Sequence, residues 1–143
     1  MQELRPLGPV LCRAGHLSRE RLDARLTEYE VTPVQIHVLH YLYHRDNRAP
    51  QRDITAHLKV KPSTANGILD RMVEKGLVER TVSETDARKR LITLTEKGRE
   101  QQAACRRIFM ETEQLMVQGL SPEEQDTLFA LLHRVITNLE EDR

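Results

Sequence analysis

Lys59-Val-Lys-Pro-Ser-Thr-Ala-Asn-Gly-Ile-Leu-Asp-Arg-Met-Val-Glu-Lys-Gly76, then Leu77-Val-Glu-Arg-Thr-Val82, a polar run Ser83-Glu-Thr-Asp-Ala-Arg-Lys-Arg90 and Leu91-Ile-Thr-Leu-Thr95, is the stretch whose reading decides the fold. Pro62 suits the first position of a helix, where its missing N–H is not needed, and Gly76 suits the stop. Between them Ala65, Ile68, Leu69, Met72 and Val73 recur at helical spacing, which predicts one buried face. The opposite face carries Ser63, Thr64, Asn66, Asp70 and Arg71, and Gly67 leaves room there for close approach. After Gly76 the period changes: two short β-rich runs flank Ser83–Arg90, which reads as a hairpin with a long basic tip.

A short helix from Gln51 to Leu58 precedes this segment. Helix, turn, helix and hairpin in that order make a winged helix-turn-helix, in which the second helix enters the major groove and a strand ribbon reaches beside it. Short hydroxyl and amide side chains at a helix start suit base edges and phosphates alike. Ser63, Thr64 and Asn66 are the expected readers, with Gln51, Arg52, Lys61, Gly67 and Arg71 beside them at the DNA and Arg71 reaching a phosphate. Arg88, Lys89 and Arg90 on a tip that cannot bury them suit the minor groove or the backbone. Arg88 is the expected groove residue, with Asp86 orienting it or bracing Arg80. The competing reading is a winged-helix protein-interaction module that does not bind DNA, with a merely solvated polar face.

Leu58-x-Val60, Pro62-Ser-Thr64, Leu69-Asp-Arg71, Glu74-Lys-Gly76-Leu77-Val-Glu-Arg80, Asp86-x-Arg88 and Leu94-Thr95-x-x-Gly98 together resemble the MarR family of bacterial transcription regulators. The likeness extends over nearly the whole chain. It implies a mainly α fold: a DNA-binding lobe over residues 31–95, and dimerisation helices at 1–30 and 96–143. It also implies a homodimer on a pseudo-palindromic double-stranded operator, more often as repressor than activator, released by a small aromatic or phenolic effector. Such an effector would sit between the first, second and fifth helices, near Cys12, His16, His37, Tyr41 and Phe109, with Arg106 or Arg107 facing a carboxylate.

Over 143 residues the formal net charge is zero, which on average argues against a nucleic-acid partner. Counted by segment the balance differs. Lys59–Arg90 holds eight basic residues against five acidic, whereas Met110–Arg143 holds two against eight. The acid is concentrated in the tail, away from the expected DNA face. Two cysteines without CxxC spacing indicate neither a disulfide framework nor structural zinc. No signal peptide, lipid motif or apolar run of spanning length is present, so a soluble cytoplasmic protein without membrane contact is expected.

Working outward, Leu4 to Glu28 reads as a helix with Leu7, Val10, Leu11, Ala14, Leu17, Leu22 and Leu26 on its apolar side. Thr32-Pro33-x-Gln35 is a capping box opening a helix to about His44 that buries Ile36, Val38, Leu39 and Leu42. Asp46–Pro50 is the turn into the next helix, which Ile54, Ala56 and Leu58 anchor. Thr95 can cap a long helix to about Val117. Gly119 ends it, and Ser121-Pro-Glu-Glu124 starts the last helix with a second capping box. There Leu128, Leu131, Leu132, Val135, Ile136 and Leu139 form a seam too apolar to face water, since burying one such side chain is worth ~1.5–3 kcal/mol. A second copy would cover it, with Leu4, Leu7, Leu11, Leu128, Leu132, Val135 and Leu139 at the interface.

No catalytic constellation emerges. Ser63, Ser83 and Ser121 have local structural roles, the cysteines lack an activating signature, and no glycine-rich phosphate loop is present; no enzyme and no cofactor are expected. His37, His40 and His44 recur at three- and four-residue spacing, which can converge on a metal and leaves a metal-responsive regulator as an alternative. Against the zinc-sensing branch of the family only His37 falls on a ligand position; Arg25, Arg107 and Glu111 stand at the others. The histidines therefore read as polar residues of a helix seam or pocket wall. Cys12 reads as a buried, inert thiol.

Overall fold

The computed structural model describes residues 3–141. Helix α1 (Gly8–Leu26) leads through a 3-10 turn (Thr27–Tyr29) to α2 (Pro33–Tyr43), β1 (Arg48–Pro50), α3 (Gln51–Leu58) and α4 (Pro62–Glu74). The hairpin β2 (Val78–Val82) and β3 (Arg90–Leu94) follows, then α5 (Glu96–Met116) and α6 (Pro122–Glu141). The chain forms two compact units, one reaching to Phe109 and the other starting at Met110.

In the first unit α4 is set as its sequence dictates. Pro62 lies in its opening turn after an extended Lys61, and Ala65, Leu69 and Met72 are wholly buried on one face. The apolar stripe is narrower than expected, with Ile68 half-buried and Val73 exposed. At the end Gly76 takes φ 75°, its N–H bonds Val73 O, and Leu77 N–H reaches back to Met72 O. That pair of bonds is a Schellman motif, and it delivers Leu77 into the core beside Met72. The chain then enters the sheet, whose order is β1-β3-β2, antiparallel throughout.

Strand β1 corrects the expectation of a plain turn at residues 46–50. Arg48, Ala49 and Pro50 pair with Thr93, Ile92 and Leu91, and Ala49 is buried. Asp46 and Asn47, both left-handed, make the bend that brings them there. Helix α3 closes on Lys59, also left-handed at φ 56°, which turns the chain into α4; Ile54 is buried, whereas Ala56 is exposed. Val38, Leu39, Leu42, Ile54, Leu69, Met72, Leu77, Val78, Ile92 and Leu94 join helices and sheet into one core. The capping box at α2 is complete: Gln35 N–H donates to Thr32 Oγ1, and Thr32 N–H donates to Gln35 Oε1.

Helix α1 is shorter than the expected span from Leu4 to Glu28. Pro9 falls in the first turn, where its missing N–H is not needed, so the helix opens at Gly8 and leaves Leu4 ahead of it. A left-handed Glu30 stops the following 3-10 turn. Only Leu26 of α1 is buried, in a small cluster with Cys105 and Ile108 to which Leu22, Tyr29, Val31 and Ile36 add. The expected apolar side lies largely open: Leu7, Val10 and Leu17 are exposed.

In the second unit Gly119 is left-handed, and Ser121 and Glu124 exchange both bonds of a capping box. No residue of α6 is buried in the single chain, and Leu139 is 70% exposed.

Candidate nucleic-acid interface

The exposed side of α4 and the hairpin tip enclose an open groove of about 810 Å³. It is lined by Gln51, Arg52, Thr55 and Lys59 of α3 and its turn, by Asn66 of α4, and by Asp86, Arg88, Lys89 and Arg90 of the tip. These elements hold Arg52, Lys59, Arg88, Lys89 and Arg90 around one concave surface, with Asp86 the acid among its lining residues. A concave surface of one sign concentrates the field felt by a polyanion.

The tip is braced by its own backbone: Ser83 N–H donates to Lys89 O and Lys89 N–H to Asp86 O. Asp86 Oδ1 accepts from Arg88 N–H at 3.0 Å and lies 3.9 Å from its Nε, so it steadies the backbone more than the guanidinium. The Arg88 side chain is 96% exposed. Arg80 is braced by Asp70 rather than Asp86, through Nη1 to Oδ1 at 2.7 Å. We expect Arg88→Ala to weaken binding across many DNA sequences and to lower the salt dependence by about one unit of slope. Measured affinity at several salt concentrations checks this; an unchanged slope would remove Arg88 from the contact.

Ser63, Thr64, Gly67 and Arg71 line a second concavity, shared with Thr32, Val34 and Gln35 around the start of α2. The expected readers thus fall on two flanks of one exposed helix, Asn66 toward the tip and the others toward α2. Lys61 is exposed at the N-terminal end of α4, where no side chain caps the helix. The free N–H groups and dipole of such an end favour a phosphate. A Cβ added at Gly67 meets nothing within 4 Å. Gly67→Ala should therefore stabilise the free protein, by ~0.5–1 kcal/mol from helix propensity, yet reduce DNA affinity where a phosphate or base approaches that backbone. A melt and a titration check it; higher stability with unchanged affinity would place the DNA elsewhere.

A separate apolar cavity of about 290 Å³ lies within the first unit, lined by Ile36, His37, Leu39, His40, Gln102, Cys105, Arg106 and Phe109. Of the residues expected around an effector, it brings together His37, Arg106 and Phe109. Tyr41 is turned away, buried with its ring 4.4 Å from that of His57 and beneath the Arg45 guanidinium at 3.7 Å. Cys12 and His16 line a shallow groove on α1, with His16 facing Glu20 at 3.3 Å, and Arg107 is exposed outside the cavity. Cys12 is exposed, a correction to its expected burial, because it lies in an open groove whose lining, among the described residues, comes from α1 alone. The buried thiol is Cys105, whose pKa is pushed up by burial. Helical spacing missed Gln102 and Cys105 on α5, which are buried and line the cavity together with Ile36, Leu39 and His40 of α2.

Partial burial, and then the nearby His44, His37 and Arg106, hold the pKa of His40 below the ordinary histidine value. Arg106 Nη1 donates to Tyr43 Oη at 2.9 Å. The three α2 histidines do not converge: His40 stacks edge-on with His44, whereas His37 faces His57 at 6.0 Å. Among the described residues no group of three or more His, Cys, Asp or Glu is placed to hold a metal, and no helix is long and apolar enough to cross a membrane.

A buried three-helix core with an antiparallel wing, and an exposed second helix beside a cationic tip, define a winged helix-turn-helix protein. Residues 29–89 match the model of the MarR family. Over most of its length the chain also resembles MepR of Staphylococcus aureus, a transcription regulator of the multidrug efflux pump MepA. A point mutant of MepR is 30% identical and superposes with a TM-score of 0.82, covering 94% of this chain and 99% of that one. MepR bound to ethidium bromide matches at 30% identity and a TM-score of 0.77, covering 94% and 97%. A mutant of Escherichia coli MarR complexed with operator DNA matches at 27% identity and 0.68, covering 91% and 93%. The chain belongs to the MarR family of winged-helix transcription regulators.

Proposed function

We propose that this protein is a homodimeric repressor that occludes a pseudo-palindromic double-stranded operator and is released by a small effector. The observation that carries the reading is the groove in which Asn66 of α4 lies between Arg52 and the Arg88, Lys89 and Arg90 tip. Its cations bind phosphate and its amide side chains read base edges, the division of labour expected of a specific DNA-binding protein. The operator complex of the MarR relative supports the same use of the fold here. Two copies of α4 would occupy successive major grooves about one DNA turn apart (~34–36 Å). The dimer would form through residues 1–30 and 96–143, where each unit leaves apolar side chains exposed.

The cavity beside His37, Arg106 and Phe109 suits the effector. Its lining carries Arg106 and two histidines but no carboxylate, which favours an aromatic or phenolic acid over a cation such as the ethidium bound by MepR. An effector that prefers one spacing of the two recognition helices lowers DNA affinity by the same factor as DNA lowers its own. Selection of bound fragments from genomic DNA tests the reading. Enrichment of an inverted repeat with half-sites one turn apart is expected, whereas binding without any preferred sequence, or none at all, would favour the protein-interaction module instead.

A further inference from the structure

Four polar side chains from three elements form a row, of which two, Gln51 and Asn66, line the groove. Arg80 of β2 donates from Nη1 to Asp70 Oδ1 at 2.7 Å and from Nε to Gln51 Oε1 at 3.2 Å. Gln51 of α3 in turn donates from Nε2 to Asn66 Oδ1. The direction of every bond follows from the first residue. A guanidinium carries only donors, so the Gln51 atom facing it has to be the carbonyl oxygen. The same carboxamide then turns its NH2 toward Asn66, and Asn66 has to answer with its own oxygen. What remains for the groove is the Asn66 Nδ2 amide, on a side chain that is exposed and lines it. Arg80 is well placed to impose this polarity, because its side chain is only 19% exposed and is held from the other side by Asp70.

We propose that the Asp70–Arg80–Gln51–Asn66 row makes Asn66 a donor-only reader of DNA, so that this position selects base-edge acceptors. The inference rests on the DNA-binding reading above and adds what α4 prefers. In the major groove, guanine shows two acceptors (O6 and N7) and thymine one (O4), whereas cytosine shows only the N4 donor and adenine pairs the N6 donor with N7. An asparagine with both ends free takes adenine in a bidentate pair. Here Oδ1 already accepts from Gln51 Nε2, so adenine N6–H would have to compete with Gln51 for the same oxygen, which weakens the bidentate pair. Guanine, then thymine, is the expected preference at the base pair beneath Asn66. Gln51 and Arg80 are positioning residues, acting on DNA specificity through Asn66.

The test is binding-site selection with four purified proteins: wild type, Asn66→Ala, Gln51→Glu, and the double variant. Asn66→Ala should erase one position of the preferred sequence and so identify the base pair concerned. In Gln51→Glu one carboxylate oxygen keeps Arg80 and the other can only accept, so Asn66 has to turn its NH2 inward and show Oδ1. Preference at that base pair should then move from guanine or thymine to cytosine or adenine. The expected size is about 3- to 10-fold, the worth of one net hydrogen bond. The added charge should lower affinity for all sequences together, which leaves the preference readable. Glutamate in the first turn of α3 is favoured by the helix dipole, and circular dichroism checks that the variant is folded.

In the double variant the shift should vanish. If it persists, Glu at position 51 reads the base itself and the row is overturned. A Gln51→Glu protein that keeps the wild-type preference overturns it as well. If Asn66→Ala leaves the preferred sequence intact while wild type still binds specifically, Asn66 reads nothing: the proposal fails and the regulator function stands. Wild type with no sequence preference would remove the function reading and the proposal together.

Discussion

Leu132→Asp combined with Val135→Asp should abolish the proposed dimer and much of the helical signal with it. Both side chains are half-buried on α6, between neighbours that the single chain leaves open: Leu128 is 42% exposed, Leu131 50%, Ile136 49% and Leu139 70%. A helix whose twenty residues include no buried one has little to hold it in place except a partner. The N-terminal segment offers the same kind of surface, with Leu4 at 89% and Leu7 at 50% exposure and Leu11 half-buried. If a second copy covers these residues, the interface is large and core-like, commonly above ~2,000 Å² for obligate dimers. A pair of carboxylates in each copy would then enter an apolar contact with no cation matched to them, at a cost of several kcal/mol for each unpaired charge. Sedimentation and circular dichroism read the outcome. A well-folded monomeric double variant would show that the chain stands alone, and a wild type that is monomeric at micromolar concentration would defeat the dimer outright.

The parts of this fold that could be read from the sequence are those decided by neighbours along the chain. Helix α3 runs from Gln51 to Leu58 as expected, α4 starts at Pro62, and both capping boxes carry their reciprocal bonds. What escaped depends on partners far off. Strand β1 has no strand pattern of its own and exists because β3, more than forty residues later, offers it an edge at Ile92. Lys75 looks like a surface lysine, yet its Nζ donates to Glu30 O at 2.7 Å and Gln35 Oε1 at 2.8 Å, tying the end of α4 to the start of α2. In the groove, the cations and the exposed face of α4 were readable from residue type and period. The Gln51–Arg80 bond was not, because periodicity assigns a side chain to a face without saying which side chain of another element it meets. The same limit explains Tyr41: one residue beyond His40, it turns about 100° around the helix, out of the cavity and into the winged-helix core beside His57.

Gly98→Ala should cost ~3 kcal/mol or more, at the upper end of what overpacking does, and lower the melting temperature by ~10 °C. The sign is opposite to that expected at Gly67, although both are glycines within helices and alanine is the better helix former by ~1 kcal/mol. The difference is what faces each. A Cβ at Gly98 would lie 2.0 Å from Leu77 O, 3.1 Å from Leu77 C and 3.2 Å from Leu94 Cδ2. Two of those atoms are backbone and cannot swing aside. Nor can Leu77 retreat freely: its carbonyl accepts Thr95 N–H at 3.1 Å, and its side chain is buried with Leu94 in the core. Thr95 closes the same knot, donating from Oγ1 to Gly76 O at 2.6 Å and accepting Gly98 N–H at 3.0 Å. Relief of the clash therefore has to move the first turn of α5 off the turn between α4 and β2, breaking bonds that fix where the wing begins. Thermal melts of the two glycine variants side by side decide it: a Gly98→Ala protein as stable as wild type would mean that α5 does not pack on Leu77, whereas the expected loss, set against a gain at Gly67, separates a glycine needed for packing from one that leaves the surface open.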